Sequence, residues 1–421
     1  MKQKLLALRQ DTLFRNSIYL MVSTGIMALL GFVFWLINAR LFTPSQIGVA
    51  TTLISAMNLI SYIALLGFNS TFIRFLPTSK DRSNEINTGL LLSIIMAALV
   101  STGYILLIPY IAPKLGIVHH NPWYAIGFVI MAALAAINLL TDSIFIAYRA
   151  AKYNLLIDGI IMSSIKLALP FLLVGLGAYG VFAASGSAAS VAMALSILFL
   201  TLRFNYRPEF KIRTSTLRKV LHYSFSNYVG NLLNIAPTLV LPLVVINHLG
   251  AAAAGYYYLA FMVANLLYTV VYAVSQSLFA EGSYANQTLR ELVKRSSAVV
   301  AGIMVPGTII LYFGAHLILG TYGKNYGSKA SSLLTVLALA APAVAIYTIV
   351  TVLLRINKQV YSLIVVNIIY LLTISGFATL WVDRGLKWIG YAWAMGQITA
   401  GLAGLLVLLL GHKSKVQEAI L

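Results

Sequence analysis

Stretches of about 20 mainly apolar residues recur from Asn16 to Leu410 with short gaps between them. This recurrence restricts the chain more than any other feature. A helix rises 1.5 Å per residue, so about 20 such residues cross a hydrocarbon core roughly 30 Å thick. Inside that core a segment has to satisfy its own backbone polar groups, which helices do. The windows lie near 16–38, 47–70, 87–112, 123–147, 154–175, 178–201, 222–247, 252–280, 297–320, 330–354, 359–382 and 386–410. Turn formers and charges separate them, as at Thr43-Pro44-Ser45, Pro77-Thr78-Ser79-Lys80-Asp81, His120-Asn121-Pro122 and Tyr322-Gly323-Lys324-Asn325. The break at 175–178 carries only Gly175, Gly177 and Ala178 as a signal. The chain therefore reads as an all-α integral membrane protein of about 12 transmembrane helices.

Only 9% of the 421 residues are charged, against roughly 25% in a soluble domain, which leaves little chain for a soluble catalytic domain. The basic, weakly apolar start MKQKLLALRQDTLFRN is not followed by a small-residue cleavage site, so the first apolar run is predicted to be a retained span. With no cysteine, neither disulfides nor thiolate metal sites are available.

Charge tests the span count. With the N-terminus inside, 22 Lys and Arg fall in cytoplasmic segments and six in outside segments, while Lys166 lies within a span. A wrong count would scramble that alternation, so both termini are predicted to be cytoplasmic. The net charge of +19 is thereby a matter of topology, and nucleic acid is not an expected partner.

The longest inside loop, 202–220, divides the chain into a six-helix bundle over 1–201 and a second over 221–421. A shift of 207 residues matches Gly48 with Gly255, Asn58 with Asn265, Ser70 with Ser277 and Phe72 with Phe279. Six is even, so both halves enter the membrane in the same sense, a 6+6 parallel pseudo-repeat with a site expected between the halves.

Polar side chains are expensive in lipid and face a protein interior or a wet cavity. The second span carries Thr51, Ser55, Asn58, Tyr62 and Asn69 at steps that fall on one helical stripe. The eighth carries Tyr258, Asn265, Tyr268, Tyr272 and Gln276, and the seventh carries Asn227, Asn231 and Asn234 ahead of Pro237 and Pro242. Amides that hydrogen-bond hydroxyls and aromatic faces that stack on pyranose rings suit a sugar. The alternative is that these residues glue helices together, each contact contributing about 0.6–2 kcal/mol.

Lys166 sits near mid-bilayer and needs a partner or water. It is a candidate for holding phosphate in a cavity, or else it pairs with Asp142 or Asp158. Those two aspartates flank the 148–153 loop symmetrically and would lie at similar depth in an antiparallel hairpin. They are candidates for ion coupling, sharing a proton or holding Na⁺. Pairing with Arg149 and Lys152 near the interface is the plainer reading. Arg15, Arg74 and Glu281 mark cytoplasmic ends, where cations receive anionic headgroups or simply anchor the chain. Adjacent His119 and His120 lack further metal-ligating neighbours. No P-loop is present, and no carboxylate cluster sits on a loop, so no catalytic residue is expected.

The segment Asn38-Ala39-Arg40-Leu41-Phe42-Thr43-Pro44-Ser45-Gln46-Ile47-Gly48 resembles the turn between the first two spans of oligosaccharide (O-antigen type) flippases. Leu66-Gly67-Phe68-Asn69-Ser70-Thr71-Phe72-Ile73-Arg74-Phe75-Leu76 resembles the end of that family's second span. Gly255-Tyr256-Tyr257-Tyr258 and Ser275-Gln276-Ser277-Leu278-Phe279 resemble its weaker repeats. These are polysaccharide biosynthesis and export families of the multidrug/oligosaccharidyl-lipid/polysaccharide (MOP) exporter superfamily.

The resemblance implies a MATE-like, V-shaped pair of six-helix bundles around a central cavity. It implies a flippase that carries a polyprenyl-diphosphate-linked oligosaccharide to the outer leaflet by alternating access, for cell-surface polysaccharide assembly. Arg74 corresponds to the family's mouth arginine, whereas Thr43-Pro44-Ser45-Gln46 departs from the family's acidic pattern and receives no role. The expected partners are the lipid-linked oligosaccharide, membrane lipids and glycan-assembly proteins. No cofactor is expected beyond a coupling H⁺ or Na⁺. Two other classes compete. A cation-coupled multidrug antiporter needs deep acidic residues, for which only Asp142 and Asp158 qualify. A membrane polymerase or ligase needs a long outside loop, and the outside loops here hold about ten residues or fewer.

Overall fold

The computed structural model of the chain describes residues 12–210, 212–213, 225–284 and 289–418. All regular structure among them is helical. The principal helices are α1 (Thr12–Leu41), α2 (Pro44–Ala64), α3 (Phe68–Phe75), α4 (Arg82–Ile111), α5 (Pro122–Ala147), α6 (Lys152–Leu172) and α7 (Ala178–Phe204). They continue with α8 (Phe225–Leu249), α9 (Ala251–Tyr284), α10 (Leu289–Gly320), α11 (Lys324–Leu339), α12 (Ala341–Ile356), α13 (Val360–Trp381) and α14 (Leu386–Glu418). Among the described residues 11 helices are long and apolar enough to cross a membrane. The pair α11–α12, bent by 46° at its junction, makes a twelfth span.

Local chemistry sets the breaks. Thr43 caps α2 in a capping box with Gln46, with Pro44 in the first turn where no N–H is needed. Asn121 accepts from the backbone N–H groups of Trp123 and Tyr124 and so caps α5, again with Pro122 in the first turn. The faint break at 175–178 is a short 3₁₀ turn that ends on Gly177, whose φ of +56° suits a residue without a Cβ.

One expected element is shorter than its apolar window. The 47–70 window contains a second break, because α2 stops at Ala64 and the chain turns through Leu66 (φ +49°) and Gly67 (φ +86°) into α3. Asn69 therefore lies on a different helix from Asn58 and Tyr62, and the single stripe drawn through all three does not hold.

Contacts divide the chain into two units, Met1–Tyr228 and Val229–Leu421. The first unit has a core of Phe68, Phe72, Leu140, Ile144, Phe145 and Ile157, drawn from α3, α5 and α6. In lipid such contacts stabilise through packing, since acyl chains are as apolar as the side chains they replace. The segment after α7 folds back on the start of α4. Tyr206 donates its hydroxyl to Asn87 Oδ1, and Asn87 Nδ2 donates to the Arg207 carbonyl at 3.0 Å. The Arg213 amide donates to Thr88 Oγ1 at 3.0 Å, and the Arg213 guanidinium pairs with Asp81.

In the second unit, Pro342 begins α12 and cannot donate to the carbonyl of Ala338. Thr308 Oγ1 reaches that carbonyl at 3.4 Å. The Tyr268 hydroxyl donates to the neighbouring Leu337 carbonyl at 2.6 Å. The bend is thus tied down by side chains of α9 and α10, as a broken helix at membrane depth requires.

Candidate functional site

The two units bury different polar chemistry. In the first, α5 and α6 form an antiparallel hairpin around the Tyr148–Ala151 turn. Each arm carries an Asn and an Asp one helical turn apart: Asn138 and Asp142 on α5, Asn154 and Asp158 on α6. Asn138 Nδ2 donates to Asp158 Oδ1 at 2.9 Å, and Asn154 Nδ2 donates to the Asp142 carbonyl at 3.3 Å. The two carboxyl groups lie within hydrogen-bonding reach of each other. Neither pairs with Arg149 or Lys152, so the plainer expectation for these aspartates is corrected: the hairpin points them at each other and leaves the two cations at its surface end.

Asp158 sits in a π-helical stretch, Leu155–Met162, inside α6. Such wide turns add a residue per turn and recur at functional sites. The absence of a side chain at Gly159 lets α1 approach closely; a Cβ there would lie 3.0 Å from Ser23 Oγ.

Lys166 does not pair with either aspartate. Its ammonium sits 4.6 Å from the ring centroid of Phe34, a cation–π contact inside the first unit. At the end of the unit that the charge pattern assigns to the cytoplasm, Arg149, Lys152 and Arg203 line a cavity of about 440 Å³ together with Tyr19, Tyr153 and Phe204. Sequence reasoning had counted Arg203 as a topology marker and Arg149 and Lys152 as that or as partners for the aspartates, because nothing in their spacing shows that α5, α6 and α7 bring the three together.

The second unit buries a neutral network. Asn234 Nδ2 donates to the Tyr347 hydroxyl at 2.8 Å, and that hydroxyl donates to Asn367 Oδ1 at 2.8 Å. Asn367 Nδ2 closes the chain on the Gly230 carbonyl at 2.8 Å. Gln397 donates to the Tyr370 hydroxyl at 2.9 Å, and the Tyr347 and Tyr370 rings stack with centroids 4.5 Å apart. Beside it, Arg355 Nη2 donates to Asn231 Oδ1 at 3.3 Å. Tyr347, Asn367 and Arg355 had not been singled out in the sequence; they emerge because α12 and α13 fold against α8.

The remaining candidates divide by exposure. Asn58 and Tyr62 are half-buried on α2, where Tyr62 packs on the first unit's core within electrostatic reach of Asp142. Asn69 is half-buried on α3, and Arg74 is exposed at the end of α3 with its guanidinium 5.5 Å from the Phe75 ring centroid. On α9, Asn265, Tyr272 and Gln276 are exposed, while Tyr268 is fully buried at the α11–α12 bend. Tyr268 is thus a structural tie and not a cavity residue. Arg15 and Asn227 lie outside the residues whose side chains are described. His119 contacts the Ile105 carbonyl through Nδ1 at 3.0 Å, and among the described residues no group of three or more His, Cys, Asp or Glu forms a metal site.

This order of helices is a known one, shared with solved structures of membrane transporters. An inward-facing multidrug resistance MATE family transporter of the MOP superfamily superposes with a TM-score of 0.77 at 15% identity, covering 94% of this chain and 98% of that one. A variant of a Vibrio cholerae MATE transporter gives 0.65 at 15% identity over 96% and 98% of the two chains. A MOP superfamily transporter from Pyrococcus furiosus, for which a reversed polarity of the binding pocket is taken to suggest a different function, gives 0.66 at 15% identity over 94% of each. The chain belongs to the polysaccharide biosynthesis protein family, whose model matches residues 37–330. The resemblance read from Asn38–Gly48 and Leu66–Leu76 is borne out. No curated protein matches the chain in sequence.

Proposed function

We propose that this chain is a flippase that carries a polyprenyl-diphosphate-linked oligosaccharide from the cytoplasmic to the outer leaflet of a prokaryotic inner membrane. Membership of the polysaccharide biosynthesis family on a transporter fold is the observation that carries the reading. The physical problem is a charged diphosphate and a hydroxyl-rich glycan that hydrocarbon excludes. Moving an unpaired charge into a medium of low dielectric is opposed by tens of kcal/mol, so a carrier has to supply cations and hydrogen-bonding groups on the way.

The basic pocket of Arg149, Lys152 and Arg203 supports this, since three cations on facing helix ends suit a diphosphate at the cytoplasmic side. Half-buried Asn58 and exposed Asn265, Tyr272 and Gln276 are the groups to meet the glycan. The carrier changes no covalent bond. Binding shifts its inward and outward states only as far as they bind the lipid differently, so net transport draws on an ion gradient, the membrane potential or removal of product outside.

The test is flipping of a fluorescent polyprenyl-diphosphate oligosaccharide in proteoliposomes, read by accessibility to a membrane-impermeant quencher. A rate several-fold above that of empty vesicles is expected, reduced by Arg149→Gln/Arg203→Gln. A rate equal to empty vesicles across short and long glycans would refute the proposal.

A further inference from the structure

The end of α7 belongs to two cavities. Arg203 and Phe204 line the basic pocket, and Asn205 lines a second cavity of about 690 Å³. Consecutive Cα atoms lie about 3.8 Å apart, so the two sites adjoin where the helix stops. Asn205 has a φ of +54°, the left-handed turn that closes a helix and redirects the chain. The segment that follows lies back on the start of α4. It is held there by the Tyr206 hydroxyl on Asn87, by the Arg207 carbonyl on the same Asn87, and by the Arg207 amide, which donates to Ser83 Oγ at 3.3 Å. Those ties use backbone atoms of Arg207 and leave its guanidinium exposed, along with the Glu209 carboxylate, in the cavity both residues line.

Charge sorts the two sites. The basic pocket gathers Arg149, Lys152 and Arg203, with no carboxylate among its described lining residues. The second cavity sets Asp81 and Glu209 against Arg207, and Asp81 is itself paired with Arg213. A diphosphate brought there would meet two carboxylates, so this cavity repels the group that the basic pocket attracts. It offers a mixed set of planar polar groups instead. The carboxylates only accept, the guanidinium only donates, and the amides of Asn84 and Asn205 do both. Asn84 Nδ2 donates to Asp81 Oδ1 at 2.8 Å, which orients both side chains ahead of any ligand. A sugar hydroxyl donates and accepts at once, so a neutral pyranose satisfies such a set where a phosphate or an apolar molecule does not. The volume is ordinary for a small-molecule site. Phe210, next in the chain to Glu209, is 99% exposed and supplies an aromatic face of the kind that stacks on pyranose rings.

We infer that this second cavity is a sugar subsite, which receives the uncharged pyranose bonded to the diphosphate while Arg149, Lys152 and Arg203 hold the diphosphate itself. The inference rests on the flippase reading and gives it a place of selection: the first sugar is read at the end of the first unit that the charge pattern assigns to the cytoplasm. Because backbone atoms and Tyr206 hold the segment, the reading side chains of Arg207 and Glu209 are free to vary without loss of the fold.

Equilibrium binding to the purified full chain in nanodiscs tests this. The probes are farnesyl diphosphate capped by a methyl group and farnesyl diphosphate bonded to a single glucose, galactose, N-acetylglucosamine or N-acetylgalactosamine, all of the same charge. At least one sugar conjugate is expected to bind about fivefold or more tighter than the methyl-capped probe. Arg207→Ala/Glu209→Ala removes one charge of each sign and keeps the backbone ties. It is expected to cut that gain to below about twofold while binding the methyl-capped probe as the parent does. Arg149→Gln/Arg203→Gln is expected to weaken every probe alike. Equal binding of the methyl-capped probe and all the conjugates, or a gain that survives in Arg207→Ala/Glu209→Ala, would overturn the subsite and leave the flippase reading standing. Flipping no faster than empty vesicles by a chain that shows the sugar gain would defeat the flippase reading alone.

Discussion

The two units differ in what they bury. In the first, the polar interior is charged and left short of donors: two carboxyl groups and two amides carry four orphaned oxygens. In the second it is neutral and runs as a closed relay from Asn234 through Tyr347 and Asn367 to the Gly230 carbonyl. Its loose ends at Trp393 Nε1, Tyr257 and Gln397 Oε1 mix donors with acceptors and so ask for no single ligand. A saturated network fixes one arrangement of helices, whereas an unsaturated one leaves buried oxygens at a cost. The comparison teaches that polar residues at membrane depth do not all report a substrate path. Some, like Tyr268, tie down the backbone of a neighbouring helix.

The largest effect is expected from opening the closed relay. Asn367→Leu removes the acceptor of the Tyr347 hydroxyl and the donor to the Gly230 carbonyl, leaving two buried groups unpaired. At about 1–3 kcal/mol for each, the apparent Tm in detergent should drop clearly below that of the parent. An unchanged Tm would mean that water reaches the relay and that the contrast between the units is false.

The opposite sign is expected in the first unit. Asp158→Asn supplies an N–H donor where the four oxygens lack one and removes one of two adjoining carboxylates. This variant should unfold at a higher temperature than the parent, by the equivalent of about 1 kcal/mol, because a buried acceptor without a partner gains a donor. A lower Tm would make the cluster a structural network like that of the second unit.

The contrast also marks how far the sequence could be read. Span number and most breaks were legible, since both rest on apolar length and on local signals such as Thr43-Pro44 and Asn121-Pro122. The break at Leu66-Gly67 was not, because a leucine in the left-handed region carries no local signature and only Gly67 hints at it. Periodicity within one helix also says nothing of what a neighbouring helix presents. Asn138 and Asn154 therefore passed unnoticed although their aspartates did not, and the π turn shifts Asp158 off the 3.6-residue register that would have placed it. Tyr268 looked like a cavity residue because the Leu337 carbonyl that it ties down at the α11–α12 bend lies 69 positions away in the chain.

A smaller effect separates the two units at their junction. The strap of residues 205–210 and 212–213 belongs to the first unit through Tyr206. Burial pushes the Tyr206 hydroxyl from the ordinary value of 10.0 up to about 12. The neutral phenol is thus the form the fold prefers, so its contribution is full below pH 10 and is lost as the pH rises through about 12. Limited proteolysis after Arg207 should be flat from pH 7 to 9 and should accelerate above pH 10. Tyr206→Phe should be cleaved faster already at pH 8, with a shallower rise. Equal cleavage of parent and variant at pH 8 would remove Tyr206 as the tie.

The smallest effect is expected at the other end of the same strap. Arg213 and Asp81 pair at the surface, with 42% and 39% of their side chains exposed. Water screens such a pair and both side chains lose rotamer freedom in forming it, so exposed ion pairs contribute about 0–1 kcal/mol. Arg213→Ala should therefore leave the apparent Tm within about a degree of the parent at physiological salt. The backbone amide of Arg213 still donates to Thr88 in that variant, so the strap should stay as protease-resistant as the parent. Cleavage as fast as that of Tyr206→Phe would shift the anchoring of the strap from the buried hydroxyl to the exposed charge. The junction would then be the one part of the first unit governed by surface electrostatics and not by its buried polar groups.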